Sequence, residues 1–361
     1  MDREGGFTAK SVWRKLPGPA LGLMIAVWLL GRIQWTELAQ SWRLINPGWW
    51  LASFGVGMLS QVLRVLRWRY LLLPVDAIPM RKLVSAFFVG QAATWLLPFR
   101  LGEVGGAYAL SQMHRVTFTA AMGSAITDRL LDIAWLLGAV LYVLMFLSLG
   151  SVVIPQNLFG TTIEISRDLM IHAAQMLGFV LVTVVLFFLI FRAWRAWWMR
   201  CLHWLLDPVS DSLARRIERV FGTFSESIDA LRRGRHLGAI VLITMAYWAL
   251  GQLGVWLLIR SYPLGIPPSL SLSLLVLVSV AAGLAVPNAP GYVGTLHLAI
   301  VIGLLLDSPG TDLNQALGFA VYYHLSAFLP CVLIGLFFVW RDGLTLMPID
   351  SSLLKDAGKG V

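Results

Sequence analysis

The chain has 361 residues, of which 58% are hydrophobic and only 13% are charged. A soluble domain carries about twice this share of charged residues, so the composition excludes a soluble enzyme or binding module and predicts a polytopic membrane protein. The net charge of +9 is attributed to basic loops and not to nucleic-acid binding. Cys201 and Cys331 lie far apart and match no disulfide or zinc spacing, so no metal or cofactor is expected.

Six apolar runs approach the ~20 residues that cross a bilayer as a helix. They cover 17–31, 47–66, 118–148, 169–192, 237–259 and 314–340. The first run can also be interpreted as a signal peptide. The segment 31–34 is a poor cleavage site, however, so a retained span is favoured.

Two further apolar runs, 82–115 and 269–306, are each interrupted near the middle. Proline and glycine cluster at 97–106 in the first run and at 286–294 in the second, and both residue types break helices. Each run is long enough to enter the membrane and return. Each is therefore predicted to form a re-entrant hairpin with the break at its tip.

The distribution of lysine and arginine sets the orientation. Most of the 28 basic residues fall on one side of the predicted spans, which we assign to the cytoplasm of a cell with an inner (plasma) membrane. Arg64, Arg67 and Arg69 are counted among these cytoplasmic charges. Both termini then lie in the cytoplasm, and the hairpins enter from opposite sides. This is the pattern of an inverted-topology repeat.

The predicted fold is therefore an all-α polytopic membrane protein with an inverted-topology repeat, about six transmembrane helices and two re-entrant hairpins. The segments are a cytoplasmic N-terminal segment 1–16, a single membrane domain 17–341 with repeats 17–148 and 169–340, a cytoplasmic amphipathic linker 193–236 and a cytoplasmic tail 342–361. The linker has two interpretations: a helix lying on anionic lipid, or a linker packed on the membrane domain.

The first tip carries Arg100 and Glu103 within an apolar run, and ionisable residues at membrane depth mark functional sites. The backbone N–H groups of the half-helix beginning near Gly102 can hold an anion, and Arg100 can pair with a phosphate. Gly102 and Gly106 would let a head group approach the backbone. The alternative is that Arg100 and Glu103 only pair with each other at a helix break.

A second charged group follows in the span that begins near 118. Asp128 and Asp132 are four residues apart, so they share a helix face, and Arg129 flanks that face. These residues predict a site for a lipid head group or a proton. The alternative is a buried network that fixes the hairpin in place.

The second tip lacks charged residues and offers small, amide and ring side chains instead. A histidine in an apolar segment can titrate near neutral pH, but it is more often a structural residue, so both interpretations stay open for His297 at this tip and for His324 in the last span. The candidate residues here and in the last span are Asn288, Gly291, Tyr292, Gly294, His297, Tyr323 and His324.

Three motifs carry a resemblance to a known family. They are Leu-Pro-Phe-Arg-Leu-Gly-Glu at 97–103, Asp-Arg-x-x-Asp at 128–132 and Pro-Asn-Ala-Pro-Gly-Tyr-Val-Gly at 287–294. Over roughly 15–342 the chain resembles the lysylphosphatidylglycerol synthase transmembrane region, also called the flippase-like domain or uncharacterised protein family 0104. It departs from that family at His297, where glutamate is frequent.

The resemblance implies an integral membrane protein associated with translocation of lipids or lipid-linked head groups. The sequence lacks the aminoacyl-transferase domain of the bifunctional members, so synthesis of aminoacyl-phospholipids is not expected. We expect a lipid transporter without catalytic activity, with an anionic or phosphate-bearing lipid as its partner, and the sequence is compatible with a homo-oligomer. The alternatives are a membrane enzyme subunit that modifies a head group and a non-transporting assembly partner.

Overall fold

A computed structural model describes residues 35–97, 102–147, 152–154, 163–165, 234–285 and 290–344, with Gly31 and isolated positions between 168 and 186. The predicted first span 17–31 and most of 169–192 lie outside the described residues. So do the terminal segments 1–16 and 345–361 and nearly all of the linker 193–236.

The described residues are almost entirely helical, which confirms the all-α polytopic class. The helices are α1 (Trp35–Arg43), α2 (Pro47–Leu72), α3 (Met80–Leu96), α4 (Gly102–Met113), α5 (Phe118–Phe146), α6 (Gly234–Ser261), α7 (Leu270–Ala285), α8 (Thr295–Asp307) and α9 (Leu313–Asp342). Two short strands, β1 (Val152–Ile154) and β2 (Ile163–Ile165), pair antiparallel inside the predicted loop 149–168, with Val152 opposite Ile165.

Five described helical segments are long and apolar enough to cross a membrane. They are Pro47–Leu72, Phe118–Phe146, His236–Ser261, Pro290–Asp307 and Leu313–Asp342. Four of them correspond to predicted spans. The fifth comprises the second tip and the second arm of the predicted hairpin 269–306, so length and composition alone do not separate a hairpin arm from a span.

Polar side chains at the helix starts explain where several long helices begin. Asn46 accepts hydrogen bonds from the backbone N–H groups of Gly48 and Trp49 at 3.0 and 3.2 Å, and Pro47 occupies the first turn of α2. Asp312 accepts from the N–H of Gln315 at 3.0 Å at the start of α9. These caps satisfy N–H groups that a helix leaves unpaired at its first turn.

The two interrupted runs form helical hairpins, α3–α4 and α7–α8, whose arms pack against each other. Each half of the described chain therefore has the order span, hairpin, span: α2, α3–α4, α5 and then α6, α7–α8, α9. The first spans of the two halves, α2 and α6, share an extensive interface, and α3 and α7 each contact the last span of the other half. The described helices follow the predicted order from the second span of each repeat onward, whereas the inverted topology of the repeats and the re-entrant placement of the hairpins stay predictions.

Glycine allows the closest helix contacts. A Cβ atom built on Gly102 would lie 1.7 Å from Oγ1 of Thr94 and 2.2 Å from the backbone oxygen of Gly90. In the second hairpin, a Cβ on Gly303 would lie 2.7 Å from Cα of Val276. Since real Cβ atoms do not approach other heavy atoms this closely, both hairpins depend on glycine at these positions.

The tips of the two hairpins lie against each other. Trp95, near the end of α3, has its ring centroid 5.3 Å from that of Tyr292 in an edge-to-face arrangement. Tyr292 belongs to a single 3₁₀ turn, Pro290–Tyr292, and has a φ of 56°, which is rare for a bulky residue. The tip contact therefore joins the two halves of the described chain.

Candidate functional site

Five charged side chains form a connected ion-pair network in the first half. Its members are Arg67, Glu103, Asp128, Arg129 and Asp132. Arg67 is completely buried and reaches two carboxylates, with Nε 2.6 Å from Oδ1 of Asp128 and a terminal nitrogen 2.8 Å from Oδ1 of Asp132. The predicted shared face of Asp128 and Asp132 is therefore used to hold one arginine.

Arg129 extends this network to the first hairpin. Its Nε lies 2.7 Å from Oε1 of Glu103 in α4, and its terminal nitrogen donates to Oδ2 of Asp132 at 3.1 Å. The Nε–H is not aligned with the Glu103 carboxylate, so that contact is an ion pair without a hydrogen bond. Arg129, which the sequence suggested as a phosphate ligand, is thus already neutralised by protein carboxylates.

Arg64 and Arg67 correct the charge map. Both were assigned to the cytoplasmic surface, yet Arg64 is only 8% exposed and Arg67 is fully buried. For Arg67 the reason is that α2 continues to Leu72, beyond the predicted end at 66. Arg64 lies within the predicted span and is covered by the rings of Phe87 and Tyr247. The apolar residues at 71–73 are the signal that could have revealed the longer helix. Without these two arginines, most of the basic residues still fall on the side assigned to the cytoplasm.

The ion-pair network also connects α2, α5 and α6. A terminal nitrogen of Arg67 lies 3.4 Å from Oγ1 of Thr244 in α6, and Nε1 of Trp68 donates to Oγ of Ser124 at 2.9 Å. A buried charge is stable only when it is paired and hydrogen-bonded. The sequence showed the two aspartates but not their partner, because Arg67 is remote from them along the chain.

In the second half, two histidines make the contact between the second hairpin arm and the last span. His297 near the start of α8 and His324 in α9 lie 3.3 Å apart (Nε2 to Nδ1), just as Glu103 near the start of α4 meets Arg129 in α5. Nδ1 of His297 accepts from the N–H of Gly294 at 3.2 Å. In the neutral ring the proton is therefore on Nε2, which donates to His324.

This hydrogen-bonded chain gives both histidines structural partners. The ring of His324 also stacks on that of Trp95, with the ring centroids 5.6 Å apart. The pair therefore holds the second tip against α9 and against the end of α3. Of the two interpretations left open by the sequence, these contacts support the structural one.

The predicted glycines of both tips shape the backbone. Gly291 and Gly294 have φ angles of 72° and 92°, which only glycine adopts without strain. Gly102 and Gly106 face α3 closely, although both also border a small pocket beside Glu103. Their proposed contact with a head group stays a prediction. Arg100 and Asn288 lie outside the described residues.

A long cleft runs between α2, α3, α6, α7 and α9. It has a volume of about 290 Å³ and is walled mainly by apolar and aromatic side chains, including Trp95, Trp248 and Tyr323. Along α2 it extends from Trp50 to Arg64, and those positions are about 21 Å apart along a helix that rises 1.5 Å per residue. At the Trp50 end, Nε1 of that residue donates to Oγ of Ser326 at 3.1 Å.

At its other end the cleft meets a small polar pocket of about 50 Å³. Arg64 and Gln91 border both cavities, whereas Glu103, Asp128 and Arg129 border only the polar pocket. An elongated apolar volume that ends at charged groups fits an amphipathic molecule. Among the predicted residues, the structure brings Tyr323 to the cleft and Glu103, Asp128 and Arg129 to the polar pocket at its end.

A pair of stacked tryptophans separates the cleft from a further cavity. Trp135 of α5 and Trp248 of α6 are parallel within 1°, with ring centroids 3.9 Å apart. Trp248 lines the long cleft, and Trp135 lines a cavity of about 490 Å³ between α5, α6 and α7. The two rings are therefore the wall between these volumes.

The fold and the site define a polytopic helical membrane protein with two contacting helical hairpins and a buried ion-pair network. The family described as the lysylphosphatidylglycerol synthase TM region matches residues 17–335, and the chain belongs to this family. Comparisons with curated proteins and with solved structures give no match. Family membership supports a protein related to lipid metabolism or transport.

Proposed function

We propose that this protein binds lipids with a phosphate-bearing head group and moves them between the two leaflets of a cell membrane. The observation that carries the proposal is the long apolar cleft that ends at Arg64 and the polar pocket. The cleft has room for an acyl chain along α2. The polar end offers charged groups in a region that is otherwise apolar, where a head group finds its partners.

The contacting hairpin tips support a transport role over simple lipid binding. Trp95 and Tyr292 bring the tips together beside the cleft, so a change at either hairpin alters its walls. In transporters with inverted repeats, binding sites lie where the repeats meet, and access alternates between the two sides. In our proposal the lipid occupies the cleft and the hairpins control which leaflet it reaches.

Two glycines in α2 provide a matched test of the cleft. Neither Gly55 nor Gly57 has a neighbour within 4 Å of an added Cβ, but only Gly57 lines the cleft. In liposomes containing purified protein, wild type is expected to move a labelled phospholipid between leaflets faster than protein-free liposomes do. Gly57→Leu is expected to slow this movement severalfold because its side chain occupies the cleft, and Gly55→Leu is not.

Three results of this assay would decide against parts of the proposal. Equal rates for wild type and protein-free liposomes would remove the transport function. Equal slowing by Gly57→Leu and Gly55→Leu would show that the cleft is not the route. Mass spectrometry of the recovered lipid covers the enzymatic alternative, because a chemically altered lipid would indicate a head-group-modifying activity instead.

The orientation has its own test. Gly310 and Ala77 are exposed in loops that the charge map puts on opposite sides of the membrane. In cells that carry the protein with Cys201 and Cys331 replaced by serine, a membrane-impermeant thiol reagent is expected to label Gly310→Cys and not Ala77→Cys. Labelling of Ala77→Cys from outside would contradict a cytoplasmic start of the first hairpin.

A further inference from the structure

We propose that Arg64 is the residue that binds the phosphate of the bound lipid, and that the preferred head group is a phosphodiester. This inference rests on the proposed function for the position of the lipid in the cleft. It assigns the anion contact to an arginine that the sequence had placed at the cytoplasmic surface.

The other two described arginines of the site are already occupied. Arg67 is paired with Asp128 and Asp132, and Arg129 is paired with Glu103 and Asp132. A phosphate that approached either arginine would have to displace a carboxylate or lie beside one. Like charges at short distance repel strongly in a region of low dielectric constant. Anion binding by the ion-pair network is therefore unfavourable.

Arg64 differs from both. Arg64 is only 8% exposed. Its charge acts on the Asp132 carboxylate through space, but the ion pairs of that carboxylate are made with Arg67 and Arg129. The Nε atom of Arg64 is buried without a partner. A buried charged donor without an acceptor is unfavourable, so an acceptor supplied by a ligand gains a strong charge-assisted hydrogen bond.

Aromatic rings prepare Arg64 for an anion at the edge of its guanidinium group. The Cζ atom lies 5.3 Å from the ring centroid of Phe87 and 5.4 Å from that of Tyr247. Such cation–π contacts place the guanidinium carbon over the faces of the two rings and leave the N–H donors without acceptors there. The N–H donors point along the edges of the guanidinium group, which is the geometry that binds phosphate oxygens in pairs.

The position of Arg64 connects the phosphate to the rest of the lipid. It borders both the long cleft and the small polar pocket. A phosphate at Arg64 therefore has the apolar cleft on one side for acyl chains and the polar pocket on the other for the remainder of the head group. A single guanidinium balances the one negative charge of a phosphodiester but not the second charge of a phosphomonoester.

Binding of brominated lipids can test this assignment, because Trp50, Trp95 and Trp248 line the cleft and bromine quenches tryptophan fluorescence. The probes are phosphatidylglycerol, phosphatidic acid and diacylglycerol with identical brominated chains, added to the full-length protein in detergent. Arg64→Gln is expected to weaken phosphatidylglycerol binding about tenfold or more, as loss of a charge-assisted hydrogen-bonded pair does, and to leave diacylglycerol binding unchanged.

Arg69→Gln is the matched control, since Arg69 lies on the same helix but is exposed; its phosphatidylglycerol binding is expected to equal that of wild type. Arg64→Lys keeps the charge and loses the planar fork. The Arg64→Lys protein is expected to bind phosphatidylglycerol more weakly than wild type does, but more tightly than it binds diacylglycerol. This variant tests the assignment if Arg64→Gln does not fold.

Several outcomes would overturn the inference. Unchanged phosphatidylglycerol binding in Arg64→Gln would remove Arg64 as the receptor, and tighter binding of phosphatidic acid by wild type would remove the phosphodiester preference. Displacement of phosphatidylglycerol by millimolar inorganic phosphate would indicate a site for soluble anions. The binding assay does not depend on lipid movement between leaflets. A failure of the transport proposal in the liposome assay can therefore be distinguished from a failure of the Arg64 assignment in the binding assay.

Discussion

Replacement of Arg67 by alanine is expected to lower the free energy of unfolding by about 3–5 kcal/mol, the cost of leaving buried charges without their partner. Arg67 is fully buried and holds both Asp128 and Asp132. Without it, the two carboxylates, four residues apart on α5, keep only the ion pair of Asp132 with Arg129 and a weaker interaction of Asp132 with Arg64. Thermal unfolding of the purified protein in one detergent measures the effect.

Arg69→Ala is the control for this change because it removes the same charge from an exposed position of the same helix. It is expected to change the free energy of unfolding by no more than about 0.5 kcal/mol. Combining Arg67→Met with Asp128→Leu is expected to recover much of the loss, since an apolar replacement of a buried ion pair is often neutral and Asp132 keeps its ion pair with Arg129. Similar unfolding temperatures for Arg67→Ala and Arg69→Ala would show that the network does not stabilise the fold.

The positions of the hairpins followed from the sequence. The interrupted runs 82–115 and 269–306 agree with α3–α4, which spans Met80–Met113, and with α7–α8, which spans Leu270–Asp307. This succeeded because clustered proline and glycine interrupt a helix through local backbone effects. Isolated ones do not have this effect here, since Pro330 lies inside α9. The shared face of Asp128 and Asp132 was equally local, since helix geometry alone determines it.

The partners of these charges could not be found in the same way. Arg67 meets Asp128 across 61 positions of the chain, and that pairing exists only after α2 and α5 have packed. A count of basic residues treats an arginine near the end of a span as a loop charge. Whether it lies in a loop or inside the protein depends on where the helix ends, and helix ends are the least certain part of a sequence interpretation.

The two halves share an arrangement but differ in its chemistry. An ion pair between Glu103 and Arg129 joins α4 to α5, and a hydrogen bond between His297 and His324 joins α8 to α9. The first contact belongs to a network that also includes α2, whereas in the second the His324 ring stacks on Trp95. In the proposed transport cycle, the charged half therefore provides the polar end of the cleft and the histidine half provides the tip contact.

Gly335→Ala is expected to destabilise the protein by about 1–3 kcal/mol through overpacking. Gly335 lies in α9 where this helix crosses α3, and a Cβ there would be 2.3 Å from the backbone oxygen of Phe88 and 2.4 Å from Cβ of Ala92. The contact joins the last span of one half to the hairpin of the other. Separating α9 from α3 would also shift Trp95 away from His324, so the tip contact is expected to loosen.

Gly138→Ala is the comparison, because Gly138 lies within α5 and has nothing within 4 Å of an added Cβ. Alanine favours a helix by up to about 1 kcal/mol over glycine, so this change is expected to be neutral or stabilising in the same unfolding measurement. Adding Ala92→Gly to Gly335→Ala removes one of the two close contacts but not the backbone oxygen of Phe88. Only partial recovery is therefore expected, and full recovery would mean that α3 and α9 do not approach as closely as described.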